Sequence, residues 1–311
     1  MRALLLRWIT TAVPLLLGVS VLTFVLASLV PGDAARSMLG VNATPQQYKQ
    51  LRDELRLDEP LWQQYWSWLT GAMRGDLGQS LQSSDSVSHE LVGRLPVTLW
   101  LVAGAVLFAV VLGIGLGVAG AVRGGWVGRV VDAISLVGLA IPTFWLGLVL
   151  VTLFAVQTQV FPATGYVAFA DSPLRWFESL VLPVLTLGIG SAAPIAQQTR
   201  DGVLAEQERD YVSVLRARGI SEKRILLHVL RNAGTPVLSV VGLVATGLFG
   251  GAVLAEIVFV MPGLGSLVVN AAATHDIPVI QGVAVVFTLL VVVVNLLVEL
   301  GYGALNPKVR T

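Results

Sequence analysis

Three acidic side chains, Asp132, Glu256 and Glu299, stand in or beside long apolar runs of this chain. A carboxylate at membrane depth is expensive to keep, so each is first a functional candidate. Glu256, four residues before Val260-Met261-Pro262-Gly263, is the acid nearest a turn. It either serves a pathway or reaches the interface, a neighbouring Ser or a backbone group. Asp132 reads as an N-cap for the third apolar helix. Glu299 reads as a structural acid near the inner end of the last one. Other chemistry is sparse. There is no cysteine, and His89, His228 and His275 are scattered, so no metal-ligand cluster is expected. The three lysines, Lys49, Lys223 and Lys308, do not follow glycine, so the phosphate-gripping Gly-Lys-Ser/Thr of a P-loop is missing. ATP hydrolysis is not expected of this chain, which reads as a non-enzyme.

The remaining polar concentration is a basic loop at 200–235. It contains Asp210-Tyr211-Val212 and Ala217-Arg218-Gly219-Ile220-Ser221-Glu222. Gly219 suits the position after a helix C-cap, where φ is positive. Ser221 can cap the next helix, with Ile225, Leu226 and Val229 on its apolar side. The expected product is helix, tight turn, helix, projecting from the membrane as a docking surface for a soluble partner. The competing reading is an amphipathic loop held on anionic headgroups by its seven basic residues.

The elements that must position these residues are membrane spans. Of 311 residues, 55% are hydrophobic and 13% charged, with mean hydropathy +0.79. That places the chain in the membrane class. Six segments are long enough to cross a bilayer: about 9–30, 98–122, 133–156, 180–196, 236–259 and 280–300. The first is read as a retained helix rather than a cleaved signal. The fourth carries Pro183, Gly188, Gly190 and Pro194, which neighbouring helices or a cavity must accommodate, so it is expected inside the bundle. With the N-terminus inside, thirteen Lys and Arg lie in cytoplasmic segments, against Arg175 alone in the short outer loops 157–179 and 260–279. Both termini are therefore expected in the cytoplasm. Trp8, Trp100, Trp126 and Trp176 lie near span ends, as an aromatic belt requires.

Segment 31–97 is too long for a structureless connector. Thr44-Pro45-Gln46-Gln47 offers a capping box for a helix to about Leu55. A second helix begins after Asp58-Glu59-Pro60, with Leu61, Trp62, Tyr65, Trp66 and Leu69 at helical spacing. Gly71 and Gly75-Asp76 are expected to end it. Its aromatic stripe either packs on membrane helices and the lipid interface or receives an external substrate-delivering protein.

In order along nearly the whole chain, a series of motifs resembles the permease subunits of ATP-binding-cassette importers for dipeptides, oligopeptides and nickel. They are Val19-Ser20, Val30-Pro31-Gly32-Asp33, Leu57-Asp58-Glu59-Pro60-Leu61 and Arg74-Gly75-Asp76-Leu77-Gly78-Gln79-Ser80. Arg94-Leu95-Pro96-Val97-Thr98-Leu99, Ile141-Pro142-Thr143-Phe144-Trp145-Leu146-Gly147, Pro262-Gly263-Leu264-Gly265 and Asn306-Pro307-Lys308-Val309-Arg310 continue the series. The resemblance implies an all-α membrane protein: a single permease domain over 1–311, with six transmembrane helices, a helical external insertion at 31–97 and a cytoplasmic coupling-helix loop at 200–235. Asp210-Tyr211-Val212 stands where the wider superfamily has Glu-Ala-Ala. The residues through Gly219 then resemble the loop whose helix docks in a groove of the ATPase subunit. The resemblance further implies a second related permease, two ATP-binding subunits or domains carrying ATP and magnesium, and an external binding protein, with no nucleic acid and no cofactor on this chain. It supports a gate or pathway position for Glu256, Pro262 and Gly263. Transport would be by alternating access between two states. The expected cargo is a di- or oligopeptide, with nickel or another small solute as the alternative. An ion-gradient-driven secondary transporter would need a mid-membrane polar relay or an inverted repeat, and the sequence displays neither.

Overall fold

The computed structural model describes residues 2–29, 34–39, 43–54, 57–83 and 85–305. The motifs 30–33 and 306–310 lie outside the described residues. The chain divides into two compact units, Met1–Val97 with Pro262–Val292, and Thr98–Met261 with Val293–Thr311. The fold is all-α. In order the helices are α1 (Arg2–Leu29), α2 (Ala34–Leu39), α3 (Pro45–Glu54), α4 (Leu61–Ala72), α5 (Val87–Arg123), α6 (Gly125–Ala140), α7 (Thr143–Leu150), α8 (Pro173–Gln207), α9 (Asp210–Ala217), α10 (Glu222–Val258), α11 (Leu264–Thr274) and α12 (Ile277–Leu305). Among the described residues, five helices can each cross a membrane, and a sixth span forms if one bent pair counts as one. These helices make this a multi-pass membrane protein.

In the first unit the expected capping box of α3 is present. The Gln47 backbone N–H donates to Thr44 Oγ1 at 3.3 Å, and the Thr44 N–H donates to Gln47 Oε1 at 3.0 Å. The 74–80 motif forms a strap. Gly75 and Gly78 take φ of +85° and +88°, and the Gly78 N–H donates to Asp76 Oδ1 at 2.9 Å. The strap ends on the corner between α11 and α12. There the buried Asp276 carboxylate accepts from the Ser80 hydroxyl at 2.7 Å and the Leu81 N–H at 2.9 Å. Helix α11 is a correction, because the stretch 260–279 read as a loop. Gly263 caps it, and Leu264, Leu267 and Ala271 bury against Val87, Leu91, Val279 and Val283. Those contacts also explain why α5 begins at Val87 rather than at 98.

In the second unit the third span is not the straight segment expected over 133–156. Helix α6 and the segment Thr143–Gln157 meet at 99°. Pro142 supplies no N–H and pushes the residue before it out of the helical region, and Ile141 sits extended at φ −74°, ψ 122°. The outer half ends in a π-helical turn, Val151–Gln157. Helix α8, by contrast, runs unbroken through Pro183 and Pro194 and is the most buried span, as its composition demanded. Gly113 and Gly117 of α5 let the two helix backbones meet. A Cβ at Gly117 would stand 2.5 Å from the Ala196 carbonyl oxygen. Where α5 and α8 reach the outer interface, Trp176 packs edge-on against Trp100 and Phe169 with centroids 5.2 and 5.1 Å away.

Candidate functional site

The 200–235 loop differs from its expected form in one respect. Its first helix is the cytoplasmic end of α8, which continues to Gln207. The chain turns at Glu208 and Arg209 and re-enters helix as α9 at Asp210. Asp210 places a carboxylate in the first turn, where the helix dipole favours it. Val212 is fully buried and packs with Ala121, Val203, Ile225, Val229 and Ala233; Leu215 and Ile220 close over the same cluster. The short helix is therefore bolted by one apolar face to the ends of α5, α8 and α10.

Its C-terminus is a complete Schellman turn. Gly219 has φ +74°; its N–H donates to Arg216 O at 2.9 Å, and the Ile220 N–H donates to Leu215 O at 3.2 Å. Ser221 occupies the N-cap position of α10 as expected, but its hydroxyl makes no capping bond. Instead its carbonyl accepts from the Arg224 and Ile225 N–H groups. Arg216 and Glu222 bracket the turn, Nε to Oε1 at 2.9 Å. The hydrogen bond from Arg216 holds the Glu222 carboxyl below the usual carboxylate range.

A polar knot fixes the other end. Tyr211 Oη donates to Glu206 Oε2 at 2.9 Å, and Asn232 Nδ2 donates to Tyr211 Oη at 3.2 Å. Arg209 Nε lies 3.1 Å from Glu206 Oε1. Burial pushes the Tyr211 phenol above its ordinary value. Of the residues singled out in sequence, Tyr211 and Ile220 are thus anchors. Asp210, Ala217, Arg218, Gly219, Ser221 and Glu222 form the exposed rim, joined by Ser213 and Val214. Glu206 and Asn232 were missed. They lie 26 positions apart, and only α10 folding back beside α8 brings them together.

The proposed cap Asp132 is a correction. It lies in the middle of α6, and Arg200 Nη1 of α8 is 2.8 Å from its Oδ1. Gly120 of α5 and Gly128 of α6 leave room for the guanidinium; a Cβ at either would stand 3.2 and 3.3 Å from it or its stem.

Residues 109–311 match the family described as binding-protein-dependent transport system inner membrane component, and residues 1–102 match its N-terminal membrane component. The chain belongs to that family. A protein named as a peptide transport system permease of Brucella abortus is 39% identical, over 100% of this chain and 99% of its own length. The glutathione transport system permease protein of Escherichia coli O6:H1 is 38% identical, over 96% of this chain and 95% of its own. This inner membrane component is the permease subunit of an ATP-binding-cassette importer.

In the permease the second candidate group falls in two places. Glu256 lies near the end of α10, fully buried, and Thr98 Oγ1 donates to its Oε1 at 2.6 Å. That hydroxyl and the carboxylate both belong to the second unit. The chain leaves α10 through Val260, whose φ of +52° is unusual for a β-branched residue. In the other unit Pro262 is exposed and Gly263 is the buried N-cap of α11. Within the second unit, α6, α7, α8 and α10 also enclose a groove of about 330 Å³. Gly138, Gly190, Gly247 and Gly251 line it with backbone, and Thr143 and Ser191 supply hydroxyls.

Proposed function

We propose that this permease forms half of a translocation pathway for di- or oligopeptides and is driven through α9. The observation that carries this reading is the continuity of α10. One helix runs 37 residues from Glu222 beside the Schellman turn to Val258, two residues past Glu256. At 1.5 Å per residue it is a rod of about 55 Å. A push on the exposed rim of α9 is delivered along it toward the acid at its far end. The rim, Asp210, Ala217, Arg218, Gly219, Ser221 and Glu222, docks on an ATP-binding partner, with Tyr211 and Ile220 holding it in place. ATP and magnesium belong to two such partners. A second related permease completes the pathway, and an external binding protein delivers cargo over the external helical insertion at 31–97. Glu256 serves as the gate-side acid, and Pro262 and Gly263 belong to the turn that follows it. Peptide is preferred to nickel because relatives matched over nearly their full length are named for peptide and for glutathione, itself a small peptide.

The test is ATPase activity of the reconstituted complex with and without peptide-loaded binding protein. Gly219→Pro cannot hold φ +74° and loses the N–H that bonds Arg216. It should abolish stimulation. Val214→Glu changes only an exposed rim position and should weaken stimulation without unfolding the subunit. Full stimulation of both variants would rule out α9 as the coupling element.

A further inference from the structure

Helix α4 belongs by sequence to the external segment, yet it packs against the centre of a membrane span. Tyr65 Oη is 2.9 Å from Ser20 Oγ, and the Tyr65 ring meets Phe24 edge-on with centroids 5.5 Å apart. Both partners lie inside the apolar window Ala12–Leu29 of α1 and are buried, Ser20 at 3% and Phe24 at 5% exposure. Ser20 precedes Leu29 by nine residues, which in a helix is about 13 Å of depth. Leu69, one turn further along α4, lines a groove with Leu17 and Val21, so α4 runs beside the apolar window of α1.

The composition of α4 suits such a place. From Leu61 to Met73 there is no charged residue, while Asp58 and Glu59 precede this run and Arg74 and Asp76 follow it. A charged residue at each flank keeps both ends at water, so the helix dips and returns rather than crossing; twelve residues could not cross in any case. Two of its polar side chains, Gln64 and Thr70, are turned onto nearby backbone. Gln64 Nε2 donates to Glu59 O at 2.8 Å, and Thr70 Oγ1 donates to Ser67 O at 2.9 Å. Such bonds lower the cost of placing those two groups in a water-poor surrounding. The outward face carries Leu61, Trp62 and Trp66, exposed at 50%, 69% and 61%. On α1, Leu22, Leu26 and Leu29 are likewise 58%, 55% and 70% exposed. Between the two helices an apolar groove of about 720 Å³ is lined by Leu17, Val21 and Val25 of α1 and Leu69 of α4. It offers water almost no hydrogen-bond partners and suits a hydrocarbon chain.

We propose that α4 is embedded in the outer leaflet of the bilayer, with Trp62 and Trp66 against lipid and an acyl chain in the α1–α4 groove. The cysteine-free sequence allows a direct test in the complete importer reconstituted in lipid nanodiscs. Bimane is attached at Trp66→Cys, at Trp62→Cys as a second variant, and at Gln50→Cys on exposed α3 as the control. Quenching by phosphatidylcholine spin-labelled in its acyl chain is compared with quenching by aqueous iodide. Positions 62 and 66 should be quenched several-fold more by the lipid probe than position 50, with the order reversed for iodide. Equal iodide quenching at all three positions would show a water-facing surface and overturn the proposal. Protection of 62 and 66 from both quenchers would show a protein partner there and also overturn it.

Discussion

Arg200 Nη1 lies 2.8 Å from Asp132 Oδ1, and this ion pair joins α8 to α6 beside the end of α5. The side chains are only 25% and 40% exposed, so the pair is neither a surface ornament nor a fully dry bridge. Arg200→Met and Asp132→Ala should each destabilise the subunit by about 1–3 kcal/mol, below the cost of breaking a fully buried pair. The double variant should cost less than the sum of the two. Thermal unfolding of the detergent-solubilised complex measures all three. Strict additivity would mean that the two side chains act independently.

Small residues in α5 differ sharply in what surrounds them. A Cβ at Gly117 would meet the Ala196 carbonyl oxygen at 2.5 Å and Thr199 Cβ at 2.6 Å, whereas one at Gly115 would meet nothing within 4 Å. Gly117→Ala should therefore cost about 1–3 kcal/mol by overpacking against backbone. Gly115→Ala should be neutral, or stabilising by up to about 1 kcal/mol through helix propensity. The same unfolding measurement distinguishes them.

Acid should loosen the turn at Gly219. The folded pKa of Glu222 is depressed by Arg216, so its contribution is present above the usual carboxylate value and is lost as pH falls through the folded one. Tyr211 has the opposite sign: its pKa is raised by burial, so its contribution holds below the ordinary phenol value and fades as pH rises past it. Amide exchange around Gly219, corrected for intrinsic rates, should increase at acid pH. In Glu222→Gln that acid-dependent increase should be absent. Retention of the full dependence in the variant would assign it to another group.

Thr98 and Glu256 provide a test of the buried acid. Thr98→Val removes the donor 2.6 Å from Glu256 Oε1 and leaves that oxygen one partner short. A loss of about 1–3 kcal/mol is expected. Glu256→Gln keeps an acceptor for Thr98, so folding should survive while peptide uptake falls if the acid serves the pathway. Unchanged uptake in a folded Glu256→Gln subunit would make the carboxylate purely structural.

Much of this was legible because each signal was local. The Thr44–Gln47 capping box, the positive φ at Gly219 and the burial of α8 follow from residue type and spacing. Pro142 was visible too, but whether a proline kinks a helix or divides it depends on what packs outside the bend. The motif Ile141-Pro142-Thr143 carries no record of that. Asp132 was assigned to a cap because sequence shows a carboxylate at the start of an apolar run and does not show Arg200, 68 positions away, arriving beside it. Glu206 and Asn232 were missed for the same reason. Helix α11 escaped because eleven residues are too few for a span, and their apolar face finds partners only after α5 and α12 are in place.

Pro236 lies inside α10, four residues after Asn232. Having no N–H, it cannot give the Asn232 carbonyl its usual helical bond. The Asn232 side chain is the one that ties α10 to Tyr211 and Glu206. The long rod is therefore weakest in bending at the height where α9 is fastened to it. In the proposed coupling, a displacement of α9 is applied at that height, and the stretch from Val237 to Val258 carries it on as part of the same helix.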